Sequence, residues 1–192
     1  MSTVIVVFPP GAGGNHLRNI VVSCYDGTDQ FGKIYKNQAT IAHARVGCNL
    51  HHYHLENALA YQDQVHVVHG HFGEIMSFQN QVRDIPDKKF IILSPDTPED
   101  SAMLNKRRLA VGQTQLVDGD YFDGEQVFLY EPFMYHWYFQ TPMDNIMNIS
   151  ISDWFTRDID AVLDKLSYFL RCTVDKDNIN SIHKDWIEAN NL

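Results

Sequence analysis

The stretch from Thr3 to Cys24 constrains the fold most, because an apolar run leads through a glycine-rich turn into an amphipathic segment. Residues 3–8 (TVIVVF) are continuously apolar or β-branched, which is the pattern of a strand covered on both faces of a parallel sheet. After the turn, apolar residues recur at helical spacing, at Leu17, Ile20, Val21 and Cys24. The sequence therefore predicts a strand, a glycine turn and a helix that follow one another without a linker.

Three further apolar runs predict strands, at residues 65–69 (VHVVH), 89–94 (KFIILS) and 146–151 (IMNISI). Helical patterns separate or follow them: a short one over residues 73–82, one starting at Thr97 and Pro98, and one from Ile159. The last has one apolar face, formed by Ile159, Val162, Leu163, Leu166, Phe169 and Leu170. Because strands alternate with helices, the sequence predicts an α/β protein with a mainly parallel sheet.

Length and composition limit the classes of protein that fit. A chain of 192 residues with 44% hydrophobic and 20% charged residues predicts one domain, residues 1–192, with a packed core. A net charge of -9 gives no support to binding of nucleic acid. The longest strongly apolar run is far shorter than the ~20 residues of a membrane helix, so we expect a cytoplasmic protein without a membrane partner. The three cysteines are too widely spaced to indicate disulfides or a zinc site.

The glycine turn lacks part of the usual phosphate-binding pattern. Residues 11–14 (GAGG) are followed by Asn15 and His16, where a GxxxxGK[ST] loop has lysine and a magnesium-binding hydroxyl. Hydrolysis of ATP or GTP is therefore not expected. The turn still allows the backbone to approach an anion, and the helix N-terminus offers N–H groups and a positive dipole end. The alternative is a turn that only joins a strand to a helix.

An ordered series of weak motifs resembles the sulfotransferase family. Residues 8–17 (FPPGAGGNHL) resemble its phosphosulfate-binding loop, written roughly YPKSGTTWL. Residues 67–72 (VVHGHF) stand where the family has a KTHLP-like segment, and residues 90–104 (FIILSPDTPEDSAML) where it has a strand followed by RNPxD. The segments NISIS, LSYFL and HKDWIEANN resemble the closing strand, helix and terminal segment. The resemblance covers most of the chain.

This resemblance implies a three-layer sandwich with a mainly parallel central sheet, a P-loop NTPase-like fold. It implies transfer of a sulfuryl group from 3'-phosphoadenosine-5'-phosphosulfate to a hydroxyl or amine, without a metal. His71 falls on the family's catalytic base. His69 falls on the preceding lysine position, and in its protonated form it would hold sulfate oxygens. The positions that the resemblance places at the donor nucleotide are Pro10, Gly11, Ala12, Gly13, Gly14, Asn15, His16, Arg18, Ser94, Ser101, Arg107 and Arg108.

The chain departs from the family at two donor-binding charges. The loop lysine falls on Pro10 or Gly11, so His16 and Arg18 are the nearest replacements. The arginine for the 3'-phosphate falls on Ser94 or Asp96, which leaves Ser94, Ser101 or the basic cluster at residues 106–108 for that role. The basic cluster also has the features of a solvated helix end, which we favour for each of its residues taken singly.

Other function classes remain open on the sequence. The alternatives are a catalytically inactive relative that binds nucleotide or protein, and a small-molecule kinase on the same fold. The acceptor is an unidentified small molecule or glycan, and a homodimer is left open. The aromatic segment 128–139 fits an acceptor pocket, or more often a core or dimer interface. We interpret Trp154, Phe155 and Trp186 as packing residues.

The chain has ten histidines, and six of them form two clusters, at residues 51–54 and 66–71. A metal site needs three or four convergent ligands. In a strand, His66 would point to the opposite face from His69 and His71, so the local geometry does not favour a metal.

Overall fold

The computed structural model describes residues 3–9, 11–26, 65–69, 87–110 and 141–192. Pro10, His71, the histidines at 51–54 and the segments 73–82 and 128–139 lie outside the described residues, so the interpretations of them stay predictions. The elements in chain order are β1 (Thr3–Phe8), α1 (Gly14–Asp26), β2 (Val65–His69), β3 (Lys88–Ser94), α2 (Pro98–Ala110), a 3-10 turn (Met143–Asn145), β4 (Ile146–Ser150), α3 (Ile151–Trp154), α4 (Asp160–Leu170) and α5 (Lys176–Ala189).

The four strands of the described residues form one sheet in the order β2-β1-β3-β4, and every neighbouring pair is parallel. Val6 of β1 is paired with Val67 on one side and with Ile91 on the other. Ile91 is paired in turn with Met147 of β4. The α/β class with a parallel sheet is thereby confirmed, and the strand bounds agree with the sequence pattern to within one residue.

The main core lies between one face of the sheet and the helices. Alternate strand residues point into it, and α1, α4 and α5 add their apolar faces; its members include Val4, Val6, Phe8, Ile91, Leu93, Leu17, Ile20, Leu163, Leu166, Ile179 and Trp186. The intervening residues Ile5, Val7, Phe90 and Ile92 are buried as well. Strands β1 and β3 are therefore covered on both faces, as their continuous apolar runs predict.

Helix α2 begins where the sequence predicts, because Thr97 and Asp100 cap it reciprocally. The Thr97 hydroxyl accepts from the Asp100 N–H at 3.1 Å, and the Asp100 carboxylate accepts from the N–H groups of Asp96 and Thr97. The same carboxylate accepts from the Ser152 N–H at 2.9 Å and so joins the start of α2 to α3. In the part of the chain described, no helix is both long and apolar enough to cross a bilayer.

Candidate functional site

The candidate site lies at the carboxyl edge of the sheet, between β1 and β3. From β1 the chain passes to β2 on one side, and from β3 it passes to β4 on the other. In parallel α/β sheets, the crevice where connections diverge in this way is the usual place for ligands. Two segments meet this crevice, the glycine turn after β1 and the Pro95–Thr97 connection after β3.

The glycine turn is a tight reversal that leads directly into α1. Gly11 and Gly13 have φ angles of 86° and 76°, in the left-handed region that favours glycine. The Pro9 carbonyl accepts from the Ala12 N–H at 3.1 Å, and the Gly13 carbonyl accepts from the His16 N–H at 2.9 Å. The N–H groups of Gly14 and Asn15 precede this first helical hydrogen bond, as is usual for a helix N-terminus that can accept an anion.

Packing against the turn also requires glycine. A Cβ at Gly13 would overlap Cζ2 of Trp186, lie 2.6 Å from Cη2 of the same ring and reach within 3.4 Å of Nε1 of Trp154. A Cβ at Gly14 would overlap the ring of Phe8. The glycines at these two positions are therefore explained by close packing, whether or not a ligand binds.

His16 lies inside an aromatic cluster with Trp154, His183 and Trp186. Its ring stacks on Trp186, with centroids 4.6 Å apart and planes at 10°, and it is 2% exposed. Trp154 and His183 complete the cluster, at centroid distances of 5.6 and 5.3 Å from His16. The cluster joins the start of α1 to α3 and α5.

The hydrogen bonds of the two histidines fix their tautomers. His183 Nε2 lies 2.9 Å from the Thr156 carbonyl, which can only accept, so Nε2 carries the proton. In the neutral ring, His183 Nδ1 is then an acceptor, and His16 Nε2 donates to it at 3.2 Å. His16 Nδ1 is left as a buried acceptor without a partner among the described residues.

Both histidines are neutral at physiological pH. Burial, with smaller contributions from His183 and Arg107, holds the pKa of His16 well below its usual 6.5. Burial lowers the pKa of His183 to about 4, although its backbone hydrogen bonds oppose the shift. His16 therefore brings no positive charge to the glycine turn and does not replace the charge of the missing loop lysine.

Arg107 is the cation that packs onto this cluster. Its guanidinium lies over the rings of Trp186 and Phe155, at 4.9 and 5.4 Å from their centroids, and Nη2 donates to Asn190 at 2.8 Å. The residue is 9% exposed, and Nε and Nη1 have no partner within the described part of the chain. Burial lowers the pKa of Arg107 to about 10, so it stays positive at neutral pH.

The basic cluster on α2 is divided between core and solvent. Arg107 and Arg108 are buried, and Lys106 is exposed. The interpretation as a solvated helix end is therefore wrong for the two arginines, because α2 packs this face inward, and it holds for Lys106. Arg18 on α1 is also buried, which lowers its pKa to about 10.

Ser94 and Ser101 lie at the end of β3 and in the first turn of α2, and both are buried. The Ser94 hydroxyl is hydrogen bonded to Asp96, and it lies 2.6 Å from Oδ1 of Asn148. Asn148 in turn donates to both Asp96 oxygens, at 2.9 and 2.7 Å. Ser94 is thus part of a polar cluster that joins the ends of β3 and β4.

The predicted catalytic histidines lie at or beyond the edge of what the structure describes. His69 ends β2 and is paired in register with Phe8, the last residue of β1 before the glycine turn region. His71 and Pro10 are outside the described residues. Among the residues that are described, no three or more His, Cys, Asp or Glu side chains form a group that could hold a metal ion.

Sequence reasoning missed His183 and the position of the two tryptophans beside the turn. His183 stands three residues before Trp186 on the face of α5 that also buries Ile179 and Ile187. That helical spacing signals burial, but the contact with His16 joins residues 167 positions apart. A single sequence contains no local pattern for such a pair.

A scan against models of known protein families finds no match, and a search of curated proteins finds none either.

Proposed function

We propose that this chain is a sulfotransferase-like enzyme with a P-loop NTPase-like fold that binds 3'-phosphoadenosine-5'-phosphosulfate at the glycine turn. One observation carries the proposal: a turn with two left-handed glycines leads into a helix N-terminus at the point where the connections of a parallel sheet diverge. The ordered motifs of the sequence support the choice of donor, since the loop is followed by segments in the family's order.

The polar groups at the site fit an anion that is held without magnesium. The turn contains no lysine and no hydroxyl at the positions that a magnesium nucleotide needs. Backbone N–H groups at the start of α1 therefore provide the first contacts with the phosphate. This is also the specific observation that disfavours the kinase alternative.

The proposed reaction is an in-line displacement at sulfur. The acceptor oxygen or nitrogen forms a bond to sulfur while the bond between sulfur and the bridging phosphate oxygen breaks. The acceptor proton passes to His71, and adenosine 3',5'-bisphosphate leaves with the bonding electron pair. The N–H groups of the glycine turn stabilise the charge that develops on the leaving phosphate.

Calorimetric titration of the full chain tests the nucleotide preference. We expect micromolar binding of adenosine 3',5'-bisphosphate without magnesium, and binding of magnesium-ATP weaker by about tenfold or more, which corresponds to about 1.4 kcal/mol. Adenosine is the control for contacts with the base and ribose alone. Preference for magnesium-ATP would move the assignment to a kinase, and no binding of either nucleotide would contradict nucleotide binding altogether.

Catalysis is tested separately through His71. If the chain consumes the donor in the presence of candidate hydroxyl or amine acceptors, His71→Ala should reduce transfer of labelled sulfate by about 100-fold or more, as expected for loss of a general base. Binding of adenosine 3',5'-bisphosphate should change little in this variant. Undiminished transfer by His71→Ala would show that another group removes the proton. A chain that binds the donor product tightly but never transfers sulfate would be the inactive relative.

A further inference from the structure

Buried N–H donors without acceptors gather beside the glycine turn. Trp154 is fully buried, and its Nε1 lies 3.4 Å from the position that a Cβ at Gly13 would occupy. In the described part of the chain, nothing accepts from this N–H or from Nε and Nη1 of Arg107. Buried donors are nearly always paired in folded proteins, so these three donor groups need an acceptor that the described residues do not supply.

Trp186 connects the two donor-bearing residues to the turn. The edge of its ring packs on Gly13, and the guanidinium of Arg107 lies over the same ring. Asn190, at the C-cap of α5, accepts a hydrogen bond from Nη2 of Arg107 at 2.8 Å. The guanidinium is therefore held in place by its ring contacts and by one hydrogen bond, which uses only Nη2.

The charge at this place is not balanced by the described residues. None of the ion pairs that they form includes Arg107, and His16, which stacks on Trp186 beside the turn, is neutral. A buried cation is costly unless an anion or several hydrogen bonds compensate it. The group that would compensate Arg107 is therefore expected to be an anion.

We propose that Arg107 and Trp154 complete an oxyanion site at the glycine turn, with Arg107 providing the positive charge that the loop itself lacks. The ligand group is a tetrahedral oxyanion, phosphate or sulfate. Its oxygens accept from the Trp154 indole N–H, from the guanidinium and from the N–H groups at the start of α1. Within the function proposed above, on which this assignment to a nucleotide rests, the group is the 5'-phosphate of the donor.

The test compares variants by titration with three probes: inorganic phosphate, inorganic sulfate and adenosine 3',5'-bisphosphate. Arg107→Met keeps an apolar side chain over Trp186 and removes the charge. We expect it to weaken binding of all three probes by about tenfold or more, as for loss of hydrogen bonds to a charged group. Arg157→Gln is the matched control, since Arg157 is exposed and pairs only weakly with Glu188 at 3.9 Å; its affinities should stay within about twofold of those of the wild type.

A spectroscopic measurement keeps Arg107 in place and so does not depend on the folding of Arg107→Met. The chain has three tryptophans and hence three indole N–H signals, and Trp154→Phe identifies the signal of Trp154. On addition of phosphate or sulfate, this signal should move downfield as the N–H gains an acceptor. An indole signal that stays fixed while the anion binds would overturn the role of Trp154.

The outcomes separate this inference from the proposed function. Equal binding of all probes by the wild type and Arg107→Met would overturn the inference and leave the proposed function intact. Binding of inorganic phosphate or sulfate that depends on Arg107, without binding of the nucleotide, would support the inference and overturn the proposed function. A wild-type chain that binds none of the probes would overturn both.

Discussion

At the scale of single residues, Gly13 joins the turn to the aromatic cluster. Its φ angle is positive, and the edge of the Trp186 ring occupies the space where a side chain would begin. The sequence GAGG signals a turn that needs glycine, because of the strand before it and the helix after it. It does not predict the contact of Gly13 with the Trp186 ring, since Trp186 lies near the other end of the chain.

Gly13→Ala should destabilise the protein strongly. The new methyl group is strained by the left-handed φ and overlaps Trp186, and the two costs together amount to about 3 kcal/mol in the free energy of unfolding. Urea unfolding of the variant and the wild type measures the difference. Trp186→Phe removes the atoms that the methyl group meets, so in that background the same substitution should cost only about 1 kcal/mol. An equal cost in both backgrounds would contradict the packing described here.

The buried histidines make stability depend on pH. His183 has a folded-state pKa of about 4, and an unfolded chain has the usual value near 6.5. Between these values the unfolded chain takes up a proton that the folded protein excludes. The stability is therefore fully present above pH 6.5 and falls as the pH decreases towards 4, and the lowered pKa of His16 acts in the same direction.

Urea unfolding at pH 7 and pH 5 measures this effect. His183 alone should account for a loss of roughly 2 kcal/mol between these two values. His183→Gln keeps a side-chain N–H donor near the Thr156 carbonyl but does not titrate, so its loss over the same interval should be smaller by that amount. The same pH dependence in the variant and the wild type would mean that His183 is already protonated at pH 5 in the folded protein.

At the scale of elements, the sequence predicts the strands and the starts of helices well because their signals are local. The continuous apolar runs locate all four described strands, and Thr97, Pro98 and the acids after them locate the start of α2. The nearby sequence predicts less well which face of a helix is buried, because this depends on elements that are distant in the chain. Arg107 looks like part of a solvated end because the residues that pack on it, Phe155, Trp186 and Asn190, come many residues later.

Substitutions of the two capping residues of α2, Thr97 and Asp100, should lower the free energy of unfolding by different amounts. Thr97→Ala removes one N-cap hydrogen bond and should cost about 1 kcal/mol. Asp100→Asn changes a buried carboxylate that accepts from Asp96, Thr97 and Ser152, so it should cost about 2 kcal/mol or more. Chemical unfolding of both variants gives the ranking, and a larger effect at Thr97 would contradict the joint role of Asp100 in α2 and α3.

At the scale of the whole molecule, the alternation of strands and helices is enough to predict a parallel α/β sheet. The order of the strands cannot be predicted from this alternation. It depends on the side of β1 on which each connection places the next strand. That order creates the crevice between β1 and β3. The aromatic cluster at the crevice likewise depends on α1, α3 and α5 meeting, so the sequence identifies the glycine turn and misses most of what surrounds it.

The central claim is that the glycine turn binds the phosphate end of a nucleotide, and the backbone amides of the turn report on it directly. The measurement is a titration of the isotope-labelled chain with adenosine 3',5'-bisphosphate, followed by two-dimensional amide spectra. We predict the largest shifts at Gly13, Gly14 and Asn15, with little change at Asn145 at the opposite edge of the sheet, and none with adenosine alone. Binding that leaves the turn amides in place and moves signals elsewhere would contradict the account.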